Sequence, residues 1–155
     1  MKSFARLIAT WFYCGYFPVA PGTVGSLAAV AIAWILHRYA DVPAPAFALM
    51  AVLLSGPGIW AAGVTAREEG REDPGIVVVD EVVGQWLTIA GATSLLNWRS
   101  WLLAFALFRI FDIWKPFPIR RLEKWPGGLG IVADDALAGI YGAAVMLAAG
   151  YLHLY

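Results

Sequence analysis

The stretch GLGIVADDALAGIYGAAVMLAAGYLHLY, from Gly128 to Tyr155, establishes the class of the fold. No charged residue follows Asp135 for 20 residues, which is the length of a membrane-spanning helix. Two adjacent carboxylates, Asp134 and Asp135, stand where this apolar run begins. Acidic residues are costly in such a segment and usually face the interior of a helix bundle. The pair therefore requires a reason of its own.

The composition of the whole chain also favours a membrane protein. Of the 155 residues 61% are hydrophobic and only 14% are charged, whereas about 25% are charged in soluble domains. The length predicts a single domain over residues 1–155. The net charge of zero argues against a nucleic-acid partner, which requires a basic surface. Because Cys14 is the only cysteine, an intramolecular disulfide and a cysteine zinc site are both excluded.

Gaps between charged residues predict an all-α, polytopic membrane helix bundle with about five membrane-embedded helices. The short leader MKSFARLIATWFYCGYFP is expected to form an amphipathic or re-entrant helix at the membrane interface. The motif SGPG at residues 55–58 predicts a kink or break within the second span. The five helices are expected at about 22–38, 44–66, 80–97, 100–115 and 131–153.

The distribution of basic residues predicts the orientation of the chain. With the N-terminus in the cytoplasm, nine of the eleven lysines and arginines lie inside, and only Arg38 and Arg99 lie outside. The reverse orientation would place those nine outside. The sequence therefore predicts a multi-pass protein with a cytoplasmic N-terminus and an external C-terminus.

The eleven acidic residues fall into two groups. Four belong to the mixed-charge segment REEGRED, predicted to be a solvated loop, and Asp41 and Glu123 also resemble loop residues. The remaining five are embedded in apolar helical sequence at one predicted membrane depth, on the cytoplasmic side. They are Asp80, Glu81, Asp112, Asp134 and Asp135.

Helix capping explains only part of this pattern. An acid at a helix start caps free N–H groups, but Asp112 lies near a helix C-terminus, where the dipole disfavours an anion. A bound cation explains all five acids, and a carboxylate-only set suits Mg²⁺, Mn²⁺ or Ca²⁺. Gly84, Gly139 and Gly142 would let the helices approach closely enough to share that ion.

Basic and hydroxyl side chains are predicted at the same depth. Arg109 and Lys115 each stand three residues from Asp112 and favour phosphate binding or acid pairing. Arg120 and Arg121 fit either phosphate binding or the positive-inside rule alone. Thr23 and Ser26, in the segment APGTVGS, are either ordinary helix-start residues or further phosphate ligands.

Four blocks in one order carry a family resemblance: PGTVGS (21–26), VDEVVGQW (79–86), FRIFDIWKPFPI (108–119) and GGLGIVADDALAG (127–139). They resemble the phosphatidylglycerophosphatase A family of bacterial inner-membrane enzymes. The resemblance implies Mg²⁺-dependent removal of the terminal phosphate from phosphatidylglycerophosphate in the inner leaflet. The family's acidic positions correspond here to the five embedded acids, and its Lys-Pro pair to Lys115 and Pro116. Val132 stands where many members have methionine.

The expected chemistry is metal-assisted hydrolysis of a phosphate monoester. Lys115 or Arg109 would stabilise developing charge, and Asp134 or Asp135 would orient or deprotonate the attacking water. A covalent aspartyl-phosphate stays open. The alternatives are a lipid phosphotransferase, which would need a nucleotide motif, and a divalent-cation transporter, whose ion site would lie near the midplane. Neither the oligomeric state nor the number of metal ions follows from the sequence.

Overall fold

A computed structural model describes residues 2–93 and 96–155, which form helices and no strand. A short 3₁₀ turn at Cys14–Tyr16 follows the first helix. The helices are α1 (Lys2–Ala9), α2 (Pro21–Ala40), α3 (Ala46–Glu69), α4 (Val79–Ala90), α5 (Trp98–Trp114), α6 (Ile119–Leu122) and α7 (Gly128–Tyr151). The all-α prediction is confirmed for the described residues, and a helix lies at each of the five predicted positions.

The number of helices able to cross a membrane is smaller than predicted. Among the described residues three helices, α2, α3 and α7, are long and apolar enough to do so, rather than about five. Helix α4 has 12 residues and is about 18 Å long, against a hydrocarbon core of about 30 Å. The predicted third helix, at about 80–97, instead ends at Ala90, and residues 94 and 95 lie outside the described part of the chain. The charge-free run predicts one continuous span, but α4 ends at Ala90 and Gly91 caps it.

The second span is continuous. Helix α3 passes through Pro57 without interruption, so the predicted break at SGPG is wrong. Ser55 donates a hydrogen bond from its hydroxyl to the carbonyl of Ala51 at 2.8 Å. On the same helix, Gly58 faces the side chains of Val79 and Val132, so the small residue brings α4 and α7 against α3. Packing by these neighbours supports the helix where proline removes a backbone donor.

The central contact of the bundle joins α4 and α7. A side chain at Gly84 would collide with Phe108 and with the carbonyl of Asp135, and one at Gly139 would collide with the backbone of Gly84. Thr88 donates from its hydroxyl to the carbonyl of Gly139 at 3.2 Å. The predicted close approach through small residues is therefore confirmed. It brings the start of α4 beside the first turns of α7.

The N-terminal helix stabilises the position of α4. The amide of Val78, immediately before α4, donates to the carbonyl of Ala9 at the end of α1 at 2.8 Å. Arg6 of α1 bonds Glu69 at 2.8 Å and Glu68 at 3.3 Å at the end of α3. The predicted short N-terminal helix is present, and it holds the segment that leads into the acidic residues.

Candidate active site

The five embedded acids meet at one end of the bundle. A cavity of about 200 Å³, called here the acid cavity, lies where α2, α4 and α7 begin and where α5 ends. Besides the five acids, Arg109 and Lys115 line it. The other lining residues are Pro21, Gly22, Asp73, Gly75, Val77 and Ile131. The tertiary structure thus brings together acids that lie up to 55 positions apart in sequence.

Three of the acids form a compact group, called here the carboxylate triad. Asp80, Glu81 and Asp135 each present a carboxylate oxygen, and these oxygens lie within 4.8 Å of one another. Asp80 and Asp135 are only 7% and 4% exposed. Among the described residues no basic group lies within 4.0 Å of any of the three. Three close carboxylates with unmatched charge repel one another, which favours a shared cation.

The other two acids are paired with bases. Arg109 donates to Asp112 at 2.6 Å, and Lys115 donates to Asp134 at 2.7 Å and lies 3.3 Å from Glu123. Burial lowers the pKa of the Lys115 ammonium, but the hydrogen bond and charge of Asp134 outweigh it and raise the pKa above its usual value. Lys115 therefore stays protonated at neutral pH beside the triad.

Unpartnered oxygens identify where a further ligand fits. Oδ1 of Asp80, Oε2 of Glu81 and Oδ1 of Asp134 are buried and have no hydrogen-bond partner among the described residues. A buried carboxylate oxygen without a partner is expensive. Hard cations accept such oxygens at about 2.0–2.6 Å. The donor set therefore fits Mg²⁺, Mn²⁺ or Ca²⁺, with Asp80, Glu81 and Asp135 as the ligands in best mutual reach.

The start of α2 closes one wall of the cavity through Gly22. A Cβ at position 22 would collide with Oε1 of Glu81 and would lie 3.4 Å from a terminal guanidinium nitrogen of Arg109. Glycine is therefore required for the backbone of α2 to approach this carboxylate closely. The first residues of α2, Pro21–Thr23, contribute to the site through their backbone rather than through a side-chain hydroxyl.

The hydroxyls predicted as phosphate ligands do not line the cavity. Its lining includes Pro21 and Gly22 but neither Thr23 nor Ser26. The Ser26 hydroxyl is buried and donates to the carbonyl of Gly22 at 2.9 Å. That bond is local, and it braces the first turn of α2. Nothing in this geometry supports a phosphate contact by either hydroxyl.

Arg120 and Arg121 lie beside the cavity rather than in it. Both line a neighbouring groove of about 430 Å³, which shares Lys115 with the acid cavity. Arg120 donates to the carbonyl of Trp114 at 3.3 Å, and the Arg121 guanidinium lies 4.6 Å from the centre of the Phe117 ring. The structure therefore separates the predicted phosphate-binding bases into an inner and an outer set.

Two acids predicted to lie in solvated loops also contribute to the site. Asp73 lines the acid cavity, and Glu123 pairs with Lys115. The protein atoms around Asp73 raise the pKa of its carboxyl; the charge of Lys115 opposes this, and those of Glu123 and Asp112 add to it. Both are exposed loop residues, as predicted, and the tertiary structure also places them at the site.

Gln85 is a further polar group that sequence reasoning missed. It is fully buried, and neither amide atom has a hydrogen-bond partner among the described residues. It stands four residues after Glu81 in α4, but it does not line the acid cavity. The available signal was an isolated amide within the apolar run VDEVVGQW.

Sequence comparisons match nearly the whole chain to known proteins. The family model for phosphatidylglycerophosphatase A matches residues 7–150. Relatives named phosphatidylglycerophosphatase A include an Escherichia coli protein, 36% identical over 94% of this chain and 83% of its own. A second, from Haemophilus influenzae, is 42% identical over 94% of this chain and 88% of its own.

A Bacteroides thetaiotaomicron protein, provisionally named a phosphatidylinositol-3-phosphatase, is 45% identical over 87% of this chain and 86% of its own. No solved structure matches the chain significantly. The family match covers nearly the whole chain and all four sequence blocks around the acid cavity. The chain therefore belongs to the phosphatidylglycerophosphatase A family of enzymes.

Proposed function

We propose that the protein is a Mg²⁺-dependent lipid phosphatase that hydrolyses phosphatidylglycerophosphate to phosphatidylglycerol and inorganic phosphate. The observation that carries the proposal is the carboxylate triad: Asp80, Glu81 and Asp135 lie close together, are largely buried and have no basic partner among the described residues. The family membership supplies the reaction class, and the names of the Escherichia coli and Haemophilus influenzae relatives supply the substrate.

In this proposal the triad holds the metal ion. Bound there, Mg²⁺ would neutralise phosphate oxygens and increase the electrophilicity of phosphorus. Lys115 and Arg109 line the same cavity and would stabilise charge that develops on the phosphate oxygens. Their ion pairs with Asp134 and Asp112 orient them before the substrate arrives.

Asp134 is the proposed general base. Its Oδ2 accepts from Lys115 at 2.7 Å, which leaves the buried Oδ1 free to accept a proton from water. The water oxygen forms a bond to phosphorus, and the ester oxygen leaves with its electron pair and gains a proton. The products are the lipid alcohol and inorganic phosphate. Asp135 serves better as a metal ligand than as the base, because it belongs to the carboxylate triad.

The name of the Bacteroides relative favours a second candidate substrate. Phosphatidylinositol 3-phosphate also carries a phosphate monoester on a lipid headgroup, so the same metal and bases would act on it. The two candidates differ in the headgroup that carries this phosphate, a glycerol in one and an inositol in the other.

Phosphate release by the purified protein in detergent tests the proposal. The substrates are phosphatidylglycerophosphate and phosphatidylinositol 3-phosphate, each with Mg²⁺ and with EDTA. We expect Mg²⁺-dependent release that is faster from phosphatidylglycerophosphate. Full activity in EDTA would contradict the metal, and preference for the inositol lipid would replace the substrate.

We also propose that the acid cavity faces the cytoplasm, in the bacterial inner membrane. Two facts support this: the three candidate spans include α7, and nine of the eleven basic residues fall on the predicted cytoplasmic side. In a Cys14→Ser background, single cysteines at the exposed positions Arg71 and Arg99 would be treated with a membrane-impermeant thiol reagent in intact spheroplasts. Labelling at 99 and protection at 71 is expected, and the reverse pattern would invert the orientation.

A further inference from the structure

The acid cavity shares lining residues with two neighbouring grooves. Lys115 lines both the acid cavity and the neighbouring groove of about 430 Å³, called here the arginine groove. Arg109 lines both the acid cavity and a third groove of about 530 Å³, called here the apolar groove. Trp114 and Arg120 line both grooves. The three spaces therefore meet around the end of α5.

The chemistry of the lining changes along this path. The acid cavity is lined by carboxylates and two paired bases, and the arginine groove contains two arginines beside aromatic and proline side chains. The apolar groove is lined by Ile110, Ile113 and Trp114, which are 53%, 72% and 64% exposed on α5. Apolar side chains this exposed on an otherwise apolar helix suit contact with lipid acyl chains.

The outer arginines keep their charge available. Arg109 and Lys115 are each bound to a carboxylate within 2.7 Å. Arg120 and Arg121 have no carboxylate within 4.0 Å among the described residues. Arg120 is exposed, and its one side-chain hydrogen bond among the described residues, to the carbonyl of Trp114, is 3.3 Å long. A free guanidinium is well suited to bind a phosphate anion through paired N–H donors.

We infer that Arg120 binds the phosphodiester of the lipid substrate while the acyl chains begin along Ile110, Ile113 and Trp114. The enzyme would then recognise a second phosphate, on the lipid side of the headgroup whose terminal monoester is hydrolysed in the acid cavity. This inference rests on the proposed function, because it assumes that the scissile phosphate lies beside the triad. It adds a residue that recognises the phosphodiester of the substrate. A lipid with only a phosphate monoester lacks this contact.

The test compares two substrates that differ in this phosphodiester. Phosphatidylglycerophosphate has both a diester and a monoester, whereas phosphatidic acid has the monoester alone. In mixed micelles with Mg²⁺, Arg120→Gln should raise KM for phosphatidylglycerophosphate about 10- to 100-fold, the value of one charge-assisted contact, with little change in kcat. It should leave kcat/KM for phosphatidic acid unchanged. Arg120→Lys should recover part of the loss.

Product inhibition provides a second measurement that does not depend on turnover of the diester lipid. Phosphatidylglycerol retains the diester and lacks the monoester, so it should inhibit phosphatidic acid hydrolysis by the wild-type enzyme. In Arg120→Gln its inhibition constant should rise by the same factor as KM. The matched control is Arg99→Gln, which removes an exposed arginine from the opposite end of α5, where the guanidinium lies 5.4 Å from the Trp98 ring centre.

The outcomes separate this inference from the proposed function. Equal losses on both substrates, or unchanged inhibition by phosphatidylglycerol in Arg120→Gln, would overturn the phosphodiester contact while leaving the phosphatase intact. A wild-type protein that releases phosphate from neither lipid would overturn the proposed function and the inference with it. An Arg99→Gln variant as impaired as Arg120→Gln would show a non-specific charge effect and would also overturn the inference.

Discussion

Two groups of carboxylates lie near each other in sequence and differ in how their charge is matched. Glu68 and Glu69, at the end of α3, pair with Arg6 at 3.3 and 2.8 Å on the protein surface. Asp80 and Glu81 begin α4 about one loop later and have no basic partner within 4.0 Å among the described residues. The first group stabilises the contact between α1 and α3, whereas the charge of the second would be matched by the metal ion proposed above.

Burial makes this distinction functional. A solvated acid is stabilised by water, so its pairing adds little free energy. A buried acid without a partner destabilises the fold unless a cation binds. If the proposed function is right, the triad costs stability in the free protein that metal binding would recover, which is a common feature of functional sites.

The largest effect is expected at Asp135. Asp135→Asn keeps the size of the side chain and removes one negative charge from the triad, so lipid phosphatase activity should fall by more than about 100-fold, since even outer-shell changes at metal sites cost 10- to 100-fold. Phosphate release over a range of Mg²⁺ concentrations measures this loss. Activity close to wild type would exclude Asp135 as a ligand.

The same substitution should alter the effect of metal on stability. Because a ligand that binds only the folded state raises its stability, Mg²⁺ should raise the Tm of the wild-type protein in detergent. It should raise the Tm of Asp135→Asn much less. Identical shifts in both proteins would indicate that the ion binds elsewhere.

Lys115 tests whether a paired base contributes to turnover. Lys115→Gln removes the ammonium that lies 2.7 Å from Asp134, and kcat should fall by about 10²-fold, as when one charge-stabilising donor is lost. Lys2→Gln is the control, because Lys2 is 82% exposed and 3.6 Å from Glu68. A smaller loss in Lys115→Gln than in Lys2→Gln would contradict the role of Lys115.

Gly84 tests whether the helix crossing positions the triad. Gly84→Ala should destabilise the protein by about 1–3 kcal/mol, because the new methyl collides with Phe108 and the Asp135 carbonyl. Gly56→Ala, where no atom lies within 4 Å of the added Cβ, should be neutral or stabilising by up to about 1 kcal/mol. Thermal unfolding in detergent measures both, and equal effects would contradict the proposed crossing.

The smallest effect is expected for the surface acids. Glu69→Gln removes the 2.8 Å ion pair with Arg6 but leaves Glu68 to hold the same guanidinium. Lipid phosphatase activity and its Mg²⁺ dependence should stay at the wild-type level. A loss comparable with that of Asp135→Asn would remove the distinction between the two groups of carboxylates.

Much of the fold was predictable from local sequence. Long charge-free runs are typical of membrane helices, so the ends of α2, α3 and α7 lie within about three residues of the predicted bounds, a tolerance usual for helix ends. The acids were recognisable because each interrupts an apolar run. The length of α4 was not, because an apolar segment reads alike whether it spans a membrane or ends early inside a bundle.

The composition and spacing of the chain were sufficient to predict helices and a set of acids close to bases, for which a metal ion is proposed. Pairing was not predictable, because the distances that join Lys115 to Asp134, or bring Asp73 and Glu123 to the site, depend on how distant segments fold together. Local pattern reports which side chains are costly to bury. Only the packing of α4 against α7 brings together the three carboxylates that have no basic partner among the described residues, and so separates the proposed metal ligands from the acids that pair with Lys115 and Arg109.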